Sequence, residues 1–270
     1  MAISRAQLVK ELEPGLNALF GLEYKNYEQE HLQIYSVETS DRAFEEEVME
    51  SGFAEAPVKT GYDQAQEVYT ARYTHETIAL AFSLTEEAVE DNLYDRLSAR
   101  YTKALARSMA QTKQIKAAAV LNGAFTTSIG GDGVALCATN HPTLTGPNLS
   151  NTLATAADLS ETSLEQALID IAAFTDERGL KIAVQGLKLI IPKELMFTAD
   201  RILKSTLRVG TADNDINAIL NMGMVPQGYA VNHFLTDPDA WFIRTDAPNG
   251  MKMFERVALK TAFEGDFDTG

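Results

Sequence analysis

An α+β fold organised around one long helix is what this 270-residue sequence predicts, on three observations. A helical pattern runs from Thr85 to about Leu121. A stretch of strand-like residues, Leu32 to Phe82, leads into it. Residues 156 to 230 then alternate helix and strand, as a compact mixed domain does. At about 1.5 Å per residue the helix is a rod of roughly 55 Å, longer than an ordinary domain is wide. The remaining chain, folded as one ball, cannot cover such a rod, so part of its surface has to meet other molecules.

Element by element, the N-terminal segment is helical but interrupted. Ser4 caps a turn carrying Leu8, Val9 and Leu12, and Pro14 ends that turn and starts another with Leu16, Leu19 and Phe20 at helical spacing. Short apolar stripes of this kind need a partner surface, which suggests an arm draped over something. Gln33 to Val37 alternates as a strand, and Val68 to Tyr73 leads through Ile78 to Phe82 as its counterpart. Between them lie Glu45, Glu46 and Glu47, with Gly52, Pro57 and Gly61 as breakers. These strands are too polar for a buried sheet, and a lone two-stranded ribbon is marginal in water, so the ribbon is expected to project and rest on a neighbour.

The long helix has good start signals. Ser83-Leu84-Thr85-Glu86 reads as a capping box, and Glu86, Glu87, Glu90 and Asp91 suit the positive end of the helix dipole. Val89, Leu93, Leu97, Tyr101, Leu105 and Met109 recur every four residues, so the row drifts by about 40° per step and winds around the rod. Asn122-Gly123 ends the helix. The turn Gly130-Gly131-Asp132-Gly133 introduces a short strand, Val134 to Ala138, then a loop from His141 to Thr155. Thr162-Ser163-Leu164-Glu165 opens a helix with Leu164, Leu168 and Ile171 on one face. Leu187 to Ile191 is a buried strand stopped by Pro192. Helices follow over Glu194 to Leu203 and Asp215 to Asn221. Trp241 to Arg244 and Met253 to Val257, flanking Ala247-Pro248-Asn249-Gly250, read as a hairpin.

The formal net charge of −15 argues against a protein that coats nucleic acid through a basic surface, although 23 Lys and Arg leave room for a local patch. Cys137 is the only cysteine, which excludes internal disulfides and suits a reducing compartment. No secretory h-region and no apolar run of membrane-spanning length are visible. The expectation is synthesis in the cytoplasm, with no membrane partner.

Chemistry-bearing patterns are sparse. Cys137 and His141, four apart, suggest a thiol nucleophile with its base and hence a cysteine hydrolase. The plainer reading is a small apolar Cys in a strand and a His opening a turn before Pro142. The Gly-rich turn lacks both dinucleotide and P-loop spacing. Asp213-Asn214-Asp215 and Asp237-Pro238-Asp239 lack the ligand positions of a calcium loop and suit a helix cap and a turn. His31, His75, His141 and His233 fall in separate segments with no metal spacing, so neither a metal nor a cofactor is expected. Arg96, Arg100, Lys103 and Arg107 fall within about 60° on one helix face. They are either a solvated face or a basic rail meeting a neighbouring subunit's carboxylates, such as Glu45 to Glu47, or enclosed nucleic acid.

The order of N-arm, ribbon, long helix, mixed domain and closing strands resembles the major capsid protein of tailed bacteriophages, the Hong Kong 97-like fold. The wording is closer still to the Mu-like major head subunit group. The resembling stretches are YTARYTHETIALAFSLTEEAVEDNLYD (Tyr69 to Asp95), ALCATNHP (Ala135 to Pro142), LKLIIPKEL (Leu187 to Leu195) and DAWFIRTDAPNGMKMFER (Asp239 to Arg256). The resemblance implies an N-terminal arm over residues 1–31 and an extended β-ribbon loop over 32–84. It implies a peripheral domain with the spine helix over 85–150, an axial domain over 151–230, and return strands of the peripheral domain over 231–270. It also implies hexamers and pentamers in an icosahedral shell around double-stranded DNA bound without sequence specificity. Portal, scaffold and decoration proteins are the implied partners, the virion is the location, and no catalytic residue is carried over. Related heads continue with a further strand where this sequence stops at Gly270, so either the sequence is truncated or a neighbour supplies the pairing. A tail or neck structural protein is the remaining alternative.

Overall fold

The computed structural model describes residues 5–50, 67–83, 94–144, 146–208, 215–248 and 250–262, and the side chains of 5–13, 50 and 94–97 lie outside that description. It divides into two units: Met1–Gln29, Glu76–Lys116 and Glu255–Gly270 form one, Glu30–His75 and Ala117–Phe254 the other. The Ser4 cap, residues 84–93 of the long helix with its start signals, and the ribbon breakers Gly52, Pro57 and Gly61 lie outside the described residues.

In the first unit, α1 (Arg5–Asn26) is one helix with Pro14 inside it, where the sequence pattern suggested two. Proline removes one backbone donor but its fixed φ is helical, so the chain continues through it. The long helix is α2, described over Tyr94–Asn122, of which residues up to Lys116 belong here. Its buried row is Ser98, Thr102, Ala106 and Ala110, one position beyond the row of large residues expected to pack. Leu105 and Met109 are only half-buried and Tyr101 is exposed, its ring tilted against that of Phe82 at 5.8 Å between centres. Small side chains allow closer approach of a neighbouring element than large ones, and close packing selected them. Arg107 donates to Glu23 at 3.0 Å and Gln114 donates to the Glu28 carbonyl at 3.3 Å, tying α2 to the α1 end of the chain.

The second unit is built on a three-stranded sheet of β4 (Gly186–Ile191), β5 (Tyr229–Val231) and β6 (Phe242–Thr245), in the order β5-β4-β6. Strand β4 runs parallel to β5 and antiparallel to β6. Its alternation divides two cores. Leu189 and Ile191 join Leu164, Leu168, Ile202 and Ile219 on one side, supplied by α3 (Glu161–Ala172), α4 (Met196–Lys204) and α5 (Ala218–Met222). Ile190 joins Ile34, Tyr35, Ala117, Leu121 and Leu235 on the other. Gly186 opens β4 because the space is taken: a Cβ there would sit 2.8 Å from Leu168 Cδ2 and 3.0 Å from Ile243 Cγ2.

Several local expectations are revised. The cap of α3 is Ser160, in a box completed by Ser163, not Thr162. The cap of α5 is Asn217, not Asp215, while Asp213 and Asn214 lie outside the described residues. Val134 to Ala138 contributes only an isolated bridge between Ile129 and Ala135. The tail is not a hairpin: β6 pairs with β4, whereas β7 (Lys252–Glu255) pairs with β1 (Ser36–Thr39). Long-range pairing, with the buried β4 for β6 and with the exposed β1 for β7, outweighs the local turn signal there.

Candidate assembly surfaces

The ribbon is β2 (Phe44–Glu50) against β3 (Glu67–Thr74), antiparallel, with Glu47 opposite Ala71 and Glu46 opposite Arg72. Its first strand therefore begins later than Gln33 to Val37 suggested, its second matches Val68 to Tyr73 within a residue at each end, and Ile78 to Phe82 is not strand. Period-two alternation gives it two faces. The face bearing Glu45, Glu47, Tyr69, Ala71 and Tyr73 rests on its own chain. Tyr69 donates to the Pro142 carbonyl at 3.2 Å, and Tyr73 packs on Phe254 at 5.7 Å between ring centres. Lys252 donates to Glu47 at 2.9 Å and stands 3.6 Å from Glu38. Gly131 permits the approach, since a Cβ there would meet Ala71 at 3.3 Å. The ribbon root is thus supported at home, a correction to the expectation that it rests only on a neighbour. The other face, with Phe44, Glu46, Val48 and Arg72, is exposed, and the Arg72 guanidinium lies 3.8 Å over the Phe44 ring.

Charge at the ribbon root perturbs the groups beside it. The hydrogen bond it donates to Glu47 holds the Lys252 ammonium above its ordinary range, and burial, then the Glu47 charge, raises the Tyr73 hydroxyl. Of the acidic trio, Glu45 accepts from the Ser40 hydroxyl, Glu47 is held by Lys252, and Glu46 alone faces outward with the exposed side. Of the basic row, Arg107 is bound by Glu23, Arg100 and Lys103 are exposed on α2, and the Arg96 side chain lies outside the described residues. Within one chain, then, the rail and the trio each have partners of their own, Glu23 for Arg107 and Lys252 for Glu47.

The thiol reading is not favoured. Burial pushes the Cys137 thiol up to about 11, the opposite of an activated nucleophile. The His141 Nδ1 lies 2.6 Å from Asp132, which staples the Gly-rich turn to the following loop. His75 follows the ribbon, 3.4 Å from the Ser40 hydroxyl, and His233 sits 2.6 Å from the buried Glu30 carboxylate. Asp237 forms the expected turn, accepting from the Asp239 amide at 3.1 Å. Among the described residues there is no cluster of metal-binding side chains, and no helix is long and apolar enough to cross a membrane.

One sequence signal pointed to exposed surface and was passed over: the stretch from Ile216 to Asn232 carries no Asp, Glu, Lys or Arg. In the structure Ile216, Leu220 and Met222 of that stretch are exposed, as is Leu207, which bridges Ile216.

A family model described as phage capsid protein matches residues 67–270. The chain belongs to the phage capsid protein family. Its fold agrees. A chain of the procapsid of bacteriophage JBD30 superposes with a TM-score of 0.63 at 14% identity, covering 86% of this chain and 100% of that one. A chain from the capsid of the same phage decorated with minor capsid protein trimers gives 0.60 at 12% identity, over 78% and 92% of the two chains. A third, from the JBD30 capsid, gives 0.58 at 12% identity over 76% and 90%. No curated protein matches this chain. Family and fold together support a capsid protein located in the virion.

Proposed function

We propose that this capsid protein is a Hong Kong 97-like head subunit of the Mu-like group, forming hexamers and pentamers of an icosahedral shell around double-stranded DNA. The family match over residues 67–270 carries the reading, supported by the JBD30 superposition, which spans the whole of that procapsid chain. In this reading residues 1–31 are the N-arm, 32–84 the extended loop, 85–150 the spine-bearing peripheral domain, 151–230 the axial domain and 231–270 its return strands. The role is structural and non-catalytic, with synthesis in the host cytoplasm. Portal, scaffold and decoration proteins are its further partners.

Arg96, Arg100, Lys103 and Arg107 are the side chains proposed to meet carboxylates of a neighbouring subunit or the enclosed DNA, with Glu46 the outward member of the Glu45–Glu47 trio. Single exposed ion pairs contribute at most about 1 kcal/mol, so such contacts set register more than strength. Every contact is repeated by symmetry, and weak ones add across a particle. A subunit of net charge −15 repels its copies, so assembly should strengthen with salt as screening shortens to about 10 Å at 0.1 M.

Electron microscopy of the purified protein across salt concentrations tests the proposal. Closed shells with hexameric and pentameric units are expected. Tubes or single rings would favour a tail or neck protein, and persistent monomers would defeat the reading.

A further inference from the structure

Two cations sit directly opposite each other on the sheet of the second unit. Lys188 of β4 and Arg244 of β6 are partners in the antiparallel ladder, and both are half-buried. Like charges so placed destabilise a sheet unless an opposite charge lies with them. The chain supplies none. The Lys188 ammonium donates to Gln33 Oε1 at 2.6 Å, and Arg244 Nη1 donates to the Gln33 carbonyl at 3.2 Å. Among the described residues neither cation meets a carboxylate, in a chain that carries 38 Asp and Glu. The acids nearest in sequence to these three residues are engaged elsewhere. Glu30 accepts from the His233 amide at 2.8 Å, Asp246 from the Gln185 amide at 2.7 Å, and Glu194 pairs with Lys193 at 3.6 Å.

The cluster is made of donors. An ammonium only donates, so the Gln33 atom facing it is the amide oxygen. The Gln33 side-chain NH2 is left as a further donor, without a partner among the described residues. Lys188 and Arg244 each use a single N–H on Gln33 and keep the others free to donate. Gln33 is exposed, so the cluster opens on solvent. Charge decides what fits it. Two cations beside a neutral amide match one doubly charged oxyanion, whose oxygens meet the planar fork of Arg244 and the point charge of Lys188 together. A carboxylate would leave one positive charge unmatched. An extended polyanion such as a DNA duplex must approach a chain of net charge −15, which repels it over about 10 Å at 0.1 M salt. A small ion enters at one point and is screened from the rest.

We infer that Gln33, Lys188 and Arg244 form a binding site for the inorganic phosphate dianion. The ion ties β4, β6 and the segment at Gln33 to one another, so its binding stabilises the second unit. The inference stands independently of the shell reading.

Urea unfolding of the full-length chain at pH 8, followed by the fluorescence of Trp241, the only tryptophan, reads the site. Sodium phosphate replaces sodium chloride at constant ionic strength, and light scattering checks that the assembly state is the same in both. Two charge-assisted hydrogen bonds supply a dissociation constant on the order of 1 mM. At about 20 mM phosphate the wild-type midpoint should then stand about 0.6 M above its value in chloride. Lys188→Gln and Arg244→Gln should each lose most of that shift. Lys188→Arg keeps the charge and should retain it. Lys181→Gln removes an exposed cation elsewhere in the same unit and should retain it too. The line width of phosphate in phosphorus NMR gives a second reading without unfolding: wild type and Lys188→Arg should broaden it, and the two site glutamine variants should not. An equal midpoint shift in the wild type and both site variants would mean general exclusion of phosphate from the surface and would overturn the inference. No shift in the wild type, or a loss in Lys181→Gln as large as in the site variants, would also overturn it. A rise produced by a short DNA duplex and not by inorganic phosphate, and lost in the site variants, would assign the cations to backbone diesters and refute the dianion site.

Discussion

Replacing Asn217 with alanine removes one side chain that ties the C-terminal end of α4 to the start of α5 in the second unit. Its Oδ1 caps α5, and loss of such a cap costs about 1 kcal/mol. Its Nδ2 pairs with the carbonyls of Ile202 and Ser205 at 2.6 and 3.0 Å. Each carbonyl left buried and unpaired adds about 1 kcal/mol or more. The sum is about 3 kcal/mol, a change of roughly a hundredfold in the folding equilibrium. With a urea slope of about 3 kcal/mol/M, the midpoint should fall by about 1 M. Trp241 lies in the same unit and its indole donates to the Ala157 carbonyl at 3.1 Å, so its fluorescence is the natural probe. Asn217→Asp separates the two contributions. It keeps an acceptor for the Leu220 amide but turns an oxygen toward two carbonyl oxygens, so the loss should be at least as large as for alanine. A shift below about 0.3 M for alanine, or a neutral aspartate variant, would show that the amide donors do not carry the load assigned to them.

Other expectations follow from particular contacts. Gly186→Ala places a methyl against Leu168 and Ile243, and should destabilise the second unit by about 1–3 kcal/mol in the same urea assay. Lys252→Met removes the cation between Glu47 and Glu38, and should speed amide exchange in β2 and β3 while leaving the urea midpoint of the whole chain nearly unchanged. Because the Lys252 value is raised on folding, its contribution is fully present below the ordinary lysine range near 10.5 and is lost only as pH rises through the still higher folded value. Cys137 should react with a maleimide at pH 8 about a hundredfold more slowly than an ordinary exposed thiol, because its value near 11 leaves little thiolate. Rapid alkylation of the folded protein at pH 8 would contradict that burial.

Local signals in the sequence carried the elements whose causes are local. Leu187 to Ile191 followed by Pro192 is β4, and Leu164, Leu168 and Ile171 face the core from α3 as their spacing requires. Asn122-Gly123 ends α2 where the breaker stands. The misses share a nonlocal cause. The turn signal around Ala247-Pro248 suggested a hairpin, yet β6 is claimed by β4 and β7 by β1. On α2, large residues at fourfold spacing outshone Ser98, Thr102, Ala106 and Ala110, although close packing favours the small row. Asn217 was hidden because a buried polar side chain is defined by its distant partners, here Ile202 and Ser205. The ribbon's home contacts escaped for the same reason, since Pro142, Lys252 and Phe254 are far from it in sequence.

Sedimentation velocity of the purified full-length chain, at fixed pH over a range of salt and protein concentrations, tests self-assembly most directly. The account predicts that the 29.5 kDa species gives way to particles of many copies as salt rises, without any other protein added. A single 29.5 kDa species under every condition would contradict it.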